Sequence, residues 1–170
     1  KEIKENNCIL ISLEKNMGKG YAMRMGIERA NGDYIIFMGG DGQDDPLEID
    51  LLLQEVKNGF DYVIGSRFLN FDSSDNRFSD KAVLPVNEFG NKSITFIINL
   101  LFKKNITDSQ SEFKCFVAKK LRELKLESNR FEIETELVIK SFRNNHFVKK
   151  NDLSICSQNC TWNVNYFYDF

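Results

Sequence analysis

Three carboxylates crowd one short loop. Asp41, Asp44 and Asp45 fall within five residues, with Gln43 among them and Gly39, Gly40 and Gly42 around them. Oxygen donors at that density suit a hard divalent cation, since Mg²⁺ takes one or two carboxylates and fills its shell with substrate phosphates and water. Asp41 and Gln43 are two apart, so in an extended stretch both side chains leave the same side. The glycines let a ligand come close to the backbone. A plainer reading is also open: a strand-to-helix loop in which Asp45 caps the helix that begins at Pro46. The two are compatible, with Asp45 as cap and Asp41 as ligand.

Three further groups carry chemistry. The loop NMGKG (16–20) offers backbone N–H groups and the Lys19 ammonium to a phosphate. Tyr21 follows Gly20, so this is not the G-x-x-x-x-G-K-[ST] phosphate loop. Arg67, just past Gly65 and Ser66, can fork onto a phosphate or carboxylate, or form an ordinary surface ion pair. Asp108 lies in a polar loop ahead of Phe113. A carboxylate facing a cleft there could serve as a general base, although most loop aspartates only shape turns.

The elements that must hold these groups follow from hydrophobic periodicity. CILISL (8–13), YIIFM (34–38) and YVIGS (62–66) are short apolar runs of strand length. Between them YAMRMGIERA (21–30) and LEIDLLLQEVKN (47–58) have helical spacing, and Asn31-Gly32 and Asn58-Gly59 stop them. Strand, helix, strand, helix, strand predicts an α/β domain with a mostly parallel sheet and helices on both faces. Ligands then bind beyond the carboxyl ends of the strands, where residues 15–20, 39–45 and 67 onward all fall. Further on, 87–104 and 131–145 predict helices, 68–84 a polar loop, and 146–155 a closing strand or two. No repeat or linker interrupts the chain, so residues 1–170 are read as a single domain.

Composition removes several classes. A net charge of −2 gives no reason to expect a nucleic-acid partner. Cys8, Cys115, Cys156 and Cys160 are scattered and His146 is the only histidine, so no zinc ligand set is apparent and free cytosolic thiols are expected. The Asn-x-Ser/Thr sequons at Asn91, Asn105 and Asn159 carry little weight in an Asn-rich chain. The longest apolar run, ITFIINLLF (94–102), is far short of the roughly 20 residues that cross a bilayer.

NMGKGYAMRMGIERANGDYIIFM, GDGQDDP, GSR, DSQSEFKCF and FEIETEL occur in the order and spacing of the family 2 inverting glycosyltransferases. The chain resembles their dolichyl- and polyprenyl-phosphate mannosyl- and glucosyltransferase branch from about Ile9 to Glu136. The resemblance implies a GT-A (Rossmann-like) fold, a nucleotide-diphosphate sugar donor, a divalent metal (Mg²⁺ or Mn²⁺) and a lipid-phosphate acceptor. It places Asn16, Gly18, Lys19 and Arg67 at the donor diphosphate and sugar. Asp41 and Gln43 fall at the metal, and Asp41 also counts among the catalytic groups. Asp108 is the candidate base, and Gln110, Lys114, Glu132 and Glu134 lie toward the acceptor.

The chain departs from the family pattern at several points. Gly39 stands where the first Asp of the family's Asp-x-Asp-x-Gln segment belongs. That removes one carboxylate, for which Asp44 could compensate. Glu112 and Lys114 replace the Gly and Arg of the Asp-x-x-Ser-Gly-Phe-Arg-like segment. The PxxNE-like loop and DDGS-like segment that bind base and ribose are not in this sequence, so an N-terminally truncated sheet is expected. Hexose transfer to a polyprenyl or dolichyl phosphate is the expected activity. A non-catalytic, truncated or degenerate module of the same fold is the alternative. The expected location is the cytoplasm, with peripheral membrane contact through the greasy helix and Lys103–Lys104.

Overall fold

The computed structural model describes residues 2–5, 8–42, 44–68, 85–152 and 168–169. Gln43, Cys156, Cys160 and most of the 68–84 loop lie outside the described residues. The elements, in chain order, are β1 (Glu2–Glu5), β2 (Cys8–Ile11), α1 (Lys19–Arg29), β3 (Tyr34–Phe37), a 3₁₀ turn (Pro46–Glu48), α2 (Ile49–Lys57) and β4 (Tyr62–Ser66). There follow α3 (Pro85–Phe102), β5 (Lys114–Val117), α4 (Ala118–Glu123), α5 (Ile133–Arg143), β6 (Val148–Asp152) and β7 (Tyr168–Asp169).

The α/β class and the helices on both faces are as expected. The mostly parallel sheet is not. A five-stranded sheet runs β6-β4-β5-β3-β7, and only β4–β6 is a parallel pair. β5 enters antiparallel between β3 and β4, with Lys114 opposite both Phe37 and Ile64. The reason lies in the connection. β4 leaves the sheet at the edge where β5 begins, and α3 lies between the two strands in the chain. β2 does not join this sheet; it pairs with β1 as a separate antiparallel ribbon. β3 and β4 still point the same way, each opposed to β5, so their carboxyl ends share one edge.

Period-2 alternation fills both faces. Ile35, Phe37, Tyr62, Ile64 and Phe116 pack toward α1, α3, α4 and α5. Ile36, Val63 and Cys115 point the other way, onto Leu52, Leu53 and Val56 of α2. Tyr62 stacks on Phe116 at 4.0 Å between ring centroids. Such stacking adds to what their burial alone contributes. Cys115 is a free thiol, pushed up to about 12 by burial, and so chemically inert at neutral pH.

Helix ends follow local chemistry. Asp45 accepts the Leu47 N–H at 2.9 Å, the cap expected before Pro46. α5 stops at Arg143, and Asn145 takes a left-handed φ of 55° just beyond it.

Candidate functional site

The shared edge of β3, β4 and β5 gathers the charged groups. Lys114 heads β5 with no exposed surface, and its ammonium meets the Glu134 carboxylate from α5. Glu134 also takes Lys19 at 2.7 Å, and Lys19 reaches Glu112 at 2.6 Å. The result is an alternating chain Lys114–Glu134–Lys19–Glu112 that runs from the core to the surface. Burial alone would raise the Glu134 carboxyl, but the two lysines outweigh it and hold it below its ordinary value. Burial likewise works against the Lys19 cation, and Glu134 with Glu112 reverses the balance, raising it. Both groups are therefore charged at neutral pH.

Lys19 owes its position to close backbone packing at the start of α1. Gly18 has φ +91°, and a Cβ there would run into the Asn129 carbonyl. A Cβ on Gly20 would lie 2.5 Å from the Ser128 carbonyl oxygen. The Tyr21 N–H donates to that Asn129 carbonyl at 3.1 Å. Asn16 accepts the Gly18 N–H at 2.9 Å, shaping the loop. The 127–129 segment is itself fixed by Glu136, which accepts the Glu127 and Ser128 N–H groups at 2.9 and 2.8 Å and pairs with Lys140 at 2.7 Å. Burial pushes the Glu136 carboxyl up, and Lys140 with those amides brings it down to about 2.

Arg67, just beyond β4, forks onto Asp108 at 2.7 and 3.0 Å. Asp108 also accepts the Arg67 N–H at 3.3 Å and the Gln110 N–H at 3.1 Å. Its side chain has no exposed surface. In this arrangement Asp108 orients Arg67 and does not face a cleft, as a base for an acceptor would. The loop that carries it hangs from α3. Asn99 exchanges two hydrogen bonds with the Ile106 backbone, at 2.7 and 3.0 Å, and Thr95 accepts the Ser109 N–H at 3.0 Å. Gln110 donates to Thr135 at 3.0 Å, tying the same loop to α5.

The acidic loop closes the edge. Asp44 accepts the Gly39 N–H at 2.7 Å. Burial raises its carboxyl to about 6, opposed by that amide and reinforced by Glu112 and Asp41. A Cβ built on Gly39 would sit 3.2 Å from Asp41 Oδ1, 3.2 Å from Asp44 Oδ2 and 3.3 Å from Glu112 Oε2.

The structure thus brings Lys19, Asp41, Arg67, Asp108, Gln110, Lys114 and Glu134 into one neighbourhood, in which Lys19 pairs with Glu112, and Arg67 is near enough to Asp44 and Glu112 to feel their charge. Glu132 stands apart: it is exposed and accepts the Arg130 N–H at 3.3 Å. Asn16 and Gly18 shape the approach of α1. Gln43 lies outside the described residues. Glu112 and Glu136 were not picked out as site residues by type or spacing. The i,i+4 pair Glu136–Lys140 was visible in the sequence as a helix-face motif.

The divalent cation that the resemblance implies can be tested against these donors. Asp41, Asp44 and Glu112 are hard oxygen donors of the kind that Mg²⁺ and Mn²⁺ take. Among the described residues, no group of three or more His, Cys, Asp or Glu is already arranged to hold a metal ion. Lys19 draws off Glu112, and the Gly39 amide engages Asp44. As placed, the three carboxylates do not make a metal site, and an ion on Asp41 and Asp44 would need phosphate and water oxygens to complete its shell.

Comparison with known proteins bears on the same region. The profile described as glycosyl transferase family 2 matches residues 1–125. The glycosyltransferase AglJ of Haloferax volcanii is 25% identical over 140 residues, covering 82% of this chain and 44% of that protein. The UDP-N-acetylglucosamine–dolichyl-phosphate N-acetylglucosaminyltransferase of Methanococcus voltae is 33% identical over 153 residues, covering 86% and 56%. The undecaprenyl-phosphate 4-deoxy-4-formamido-L-arabinose transferase of Photorhabdus laumondii is 31% identical over 113 residues, covering 66% and 30%. The chain therefore spans about half the length, or less, of these relatives. Since the family profile takes in most of the chain, including Lys19, the acidic loop, Arg67 and the Asp108–Lys114 segment, the protein belongs to glycosyl transferase family 2.

Proposed function

We propose that this chain is the donor-side part of an inverting glycosyltransferase that moves a hexose from a nucleotide-diphosphate sugar to a polyprenyl or dolichyl phosphate. The observation that carries the reading is the convergence of Lys19, Asp41 and Arg67 on one sheet edge. Two fixed cations flank a carboxylate loop there, which is what a diphosphate and its counter-ion require. Asp41 and Asp44 would hold a divalent cation, which when bound neutralises charge on the leaving diphosphate. Lys19 is kept charged by Glu134 and Glu112, and its buried ammonium would meet a phosphate oxygen once Glu112 swings away. Arg67, oriented by Asp108, presents its remaining N–H groups. A phosphate acceptor is already ionised, so transfer to it needs no strong base, consistent with an Asp108 that is buried and spent on Arg67.

The acceptor side is supported by α3. Phe89, Lys92, Ser93, Phe96 and Ile97 line an open groove of about 320 Å³. The Lys92 ammonium lies 5.1 Å from the Phe68 ring, and Arg67 is 5.5 Å from it. The groove thus adjoins the donor edge. A lipid phosphate could set its head near Lys92 and Arg67 and lay its tail along the apolar residues. No helix among the described residues is long and apolar enough to cross a membrane, so contact through α3 would be peripheral.

The test is transfer itself. Purified protein is incubated with radiolabelled UDP- and GDP-hexoses, Mn²⁺ and polyprenyl phosphate, and label is counted in the organic phase. The reading expects lipid-linked label with one donor, lost on Asp41→Ala. No label with any donor would contradict it. The engagement of both Lys19 and Asp108 by protein groups favours a second reading, a non-catalytic module of the same fold. That reading expects nucleotide-sugar binding without lipid-linked product.

A further inference from the structure

The members of the chain Lys114–Glu134–Lys19–Glu112 are not equally held. Lys114 has no exposed surface, and the Glu134 side chain is only 5% accessible. Glu134 serves both lysines, so displacing it would strand two cations. The Lys19 ammonium is buried between its carboxylates, 2.7 Å from Glu134 and 2.6 Å from Glu112. Glu112 is the outer member. Its side chain is 44% accessible, and it sits in a bend just ahead of β5. It can turn outward without unpacking the core.

Charge decides what can take its place. The chain of four is neutral as it stands. Once Glu112 turns away, a buried ammonium lacks part of its compensation, and another anion restores it. Glu112 is also pushed from the other side. Its Oε2 lies 3.3 Å from the point a Cβ on Gly39 would occupy, and Asp41 Oδ1 and Asp44 Oδ2 are each 3.2 Å from that point. Lys19 therefore holds Glu112 against the repulsion of its acidic neighbours.

We infer that Glu112 is a built-in competitor for the donor: its carboxylate covers Lys19 in the empty site as a stand-in for phosphate, and an incoming diphosphate displaces it. The inference rests on the sugar-transfer reading for the identity of the anion. A tethered carboxylate competes at an effective concentration on the order of millimolar. It keeps dilute anions of single charge off Lys19. A diphosphate overcomes it by carrying more charge and by reaching Arg67 as well, whose guanidinium already feels the charge of Glu112. Lys19 keeps Glu134 as its second partner throughout.

The experiment is calorimetric titration of inorganic pyrophosphate in metal-free buffer. It compares wild type, Glu112→Gln, Lys19→Gln and the Lys19→Gln/Glu112→Gln double variant. Circular dichroism checks each fold, and Lys19→Met replaces Lys19→Gln should that variant unfold. Glu112→Gln should bind pyrophosphate about fivefold or more tighter than wild type, the scale of removing one charged competitor. In the Lys19→Gln background the same change should gain less than about twofold, because no cation is left for Glu112 to cover. Such coupling is the mark of groups in contact. Unchanged or weaker affinity in Glu112→Gln overturns the inference. So does an equal gain in both backgrounds, which is general repulsion of an anion, or the absence of pyrophosphate binding in every protein. Binding of UDP and GDP by wild type in Mn²⁺ is measured alongside. If a nucleotide binds while Glu112→Gln gains nothing, only the competitor role is lost. If pyrophosphate affinity rises as stated while no nucleotide binds, the covered anion site stands and the transfer reading falls.

Discussion

At the scale of residues, buried charges are satisfied in a fixed order, and removing one exposes the next. Glu134 balances the fully buried Lys114. Glu134→Gln should therefore cost about 3–5 kcal/mol in urea unfolding, because it strands a buried ammonium. A loss under 1 kcal/mol would mean that Lys114 finds another partner or sheds its proton. Arg67→Lys keeps the charge and loses the fork onto Asp108. Nucleotide-sugar binding should weaken by about tenfold or more, the equivalent of one charge-assisted hydrogen bond. Periodicity put Asp41 and Arg67 beyond the ends of β3 and β4, whereas Lys19 follows β2, which is not in the main sheet, and reaches the edge through Glu112 and Glu134. It could not show that Lys19 and Asp108 are already engaged. That depends on Glu134 and Arg67, 115 and 41 positions away along the chain.

At the scale of elements, two helices act as clamps on the loops that carry the site. α3 holds the 106–109 loop through Asn99, whose amide satisfies both backbone groups of buried Ile106. Asn99→Ala should cost about 1–3 kcal/mol, the penalty for leaving such groups unpaired. It should also lower sugar binding by loosening Asp108. α5 holds the 127–129 segment through Glu136, and that segment positions the start of α1. The Glu136 carboxyl is held down to about 2 from an ordinary 4.5, so its contribution is complete above about pH 4.5 and is lost as pH falls toward 2. Urea midpoints measured from pH 2 to 6 should fall on the acid side in wild type, and less so in Glu136→Gln. Identical acid limbs would show that Glu136 does not fix this segment. Helix positions were readable from apolar spacing, and the Asp45 cap from its place before Pro46. The clamps were not, since hydrogen bonds from helix side chains to distant loop backbone leave no periodic trace.

At the scale of the whole molecule, β2, β3, β4 and β6 and the helices α1, α2, α3 and α5 were legible, whereas β1, β5, β7, α4 and strand direction were not. Hydrophobic runs mark a buried strand but do not say which neighbour it joins. Strand-helix-strand order suggested parallel pairing. β5, reached only after the long α3 excursion, separates β3 from β4 and reverses the local direction. The shared edge survived this, because β3 and β4 remain co-directional. The apolar side of α3 divides between core and surface. Thr95 and Ile98 are buried, whereas Phe89, Phe96, Ile97, Leu100 and Leu101 are exposed among the described residues. If that face meets lipid, Phe96→Ser with Leu100→Ser should lower co-sedimentation with vesicles of anionic lipid several-fold while leaving nucleotide-sugar binding intact. Equal sedimentation of wild type and variant would assign the face to protein instead. The claim beneath all of this is that the three loop tips form one diphosphate site. Calorimetric titration of UDP and GDP in Mn²⁺, on wild type and on the near-isosteric Asp41→Asn, tests it most directly. The account predicts saturable binding of one nucleotide by wild type and at least tenfold weaker binding by Asp41→Asn, the loss expected for one charged partner. Equal affinity in the two proteins, or no binding by either, would contradict it.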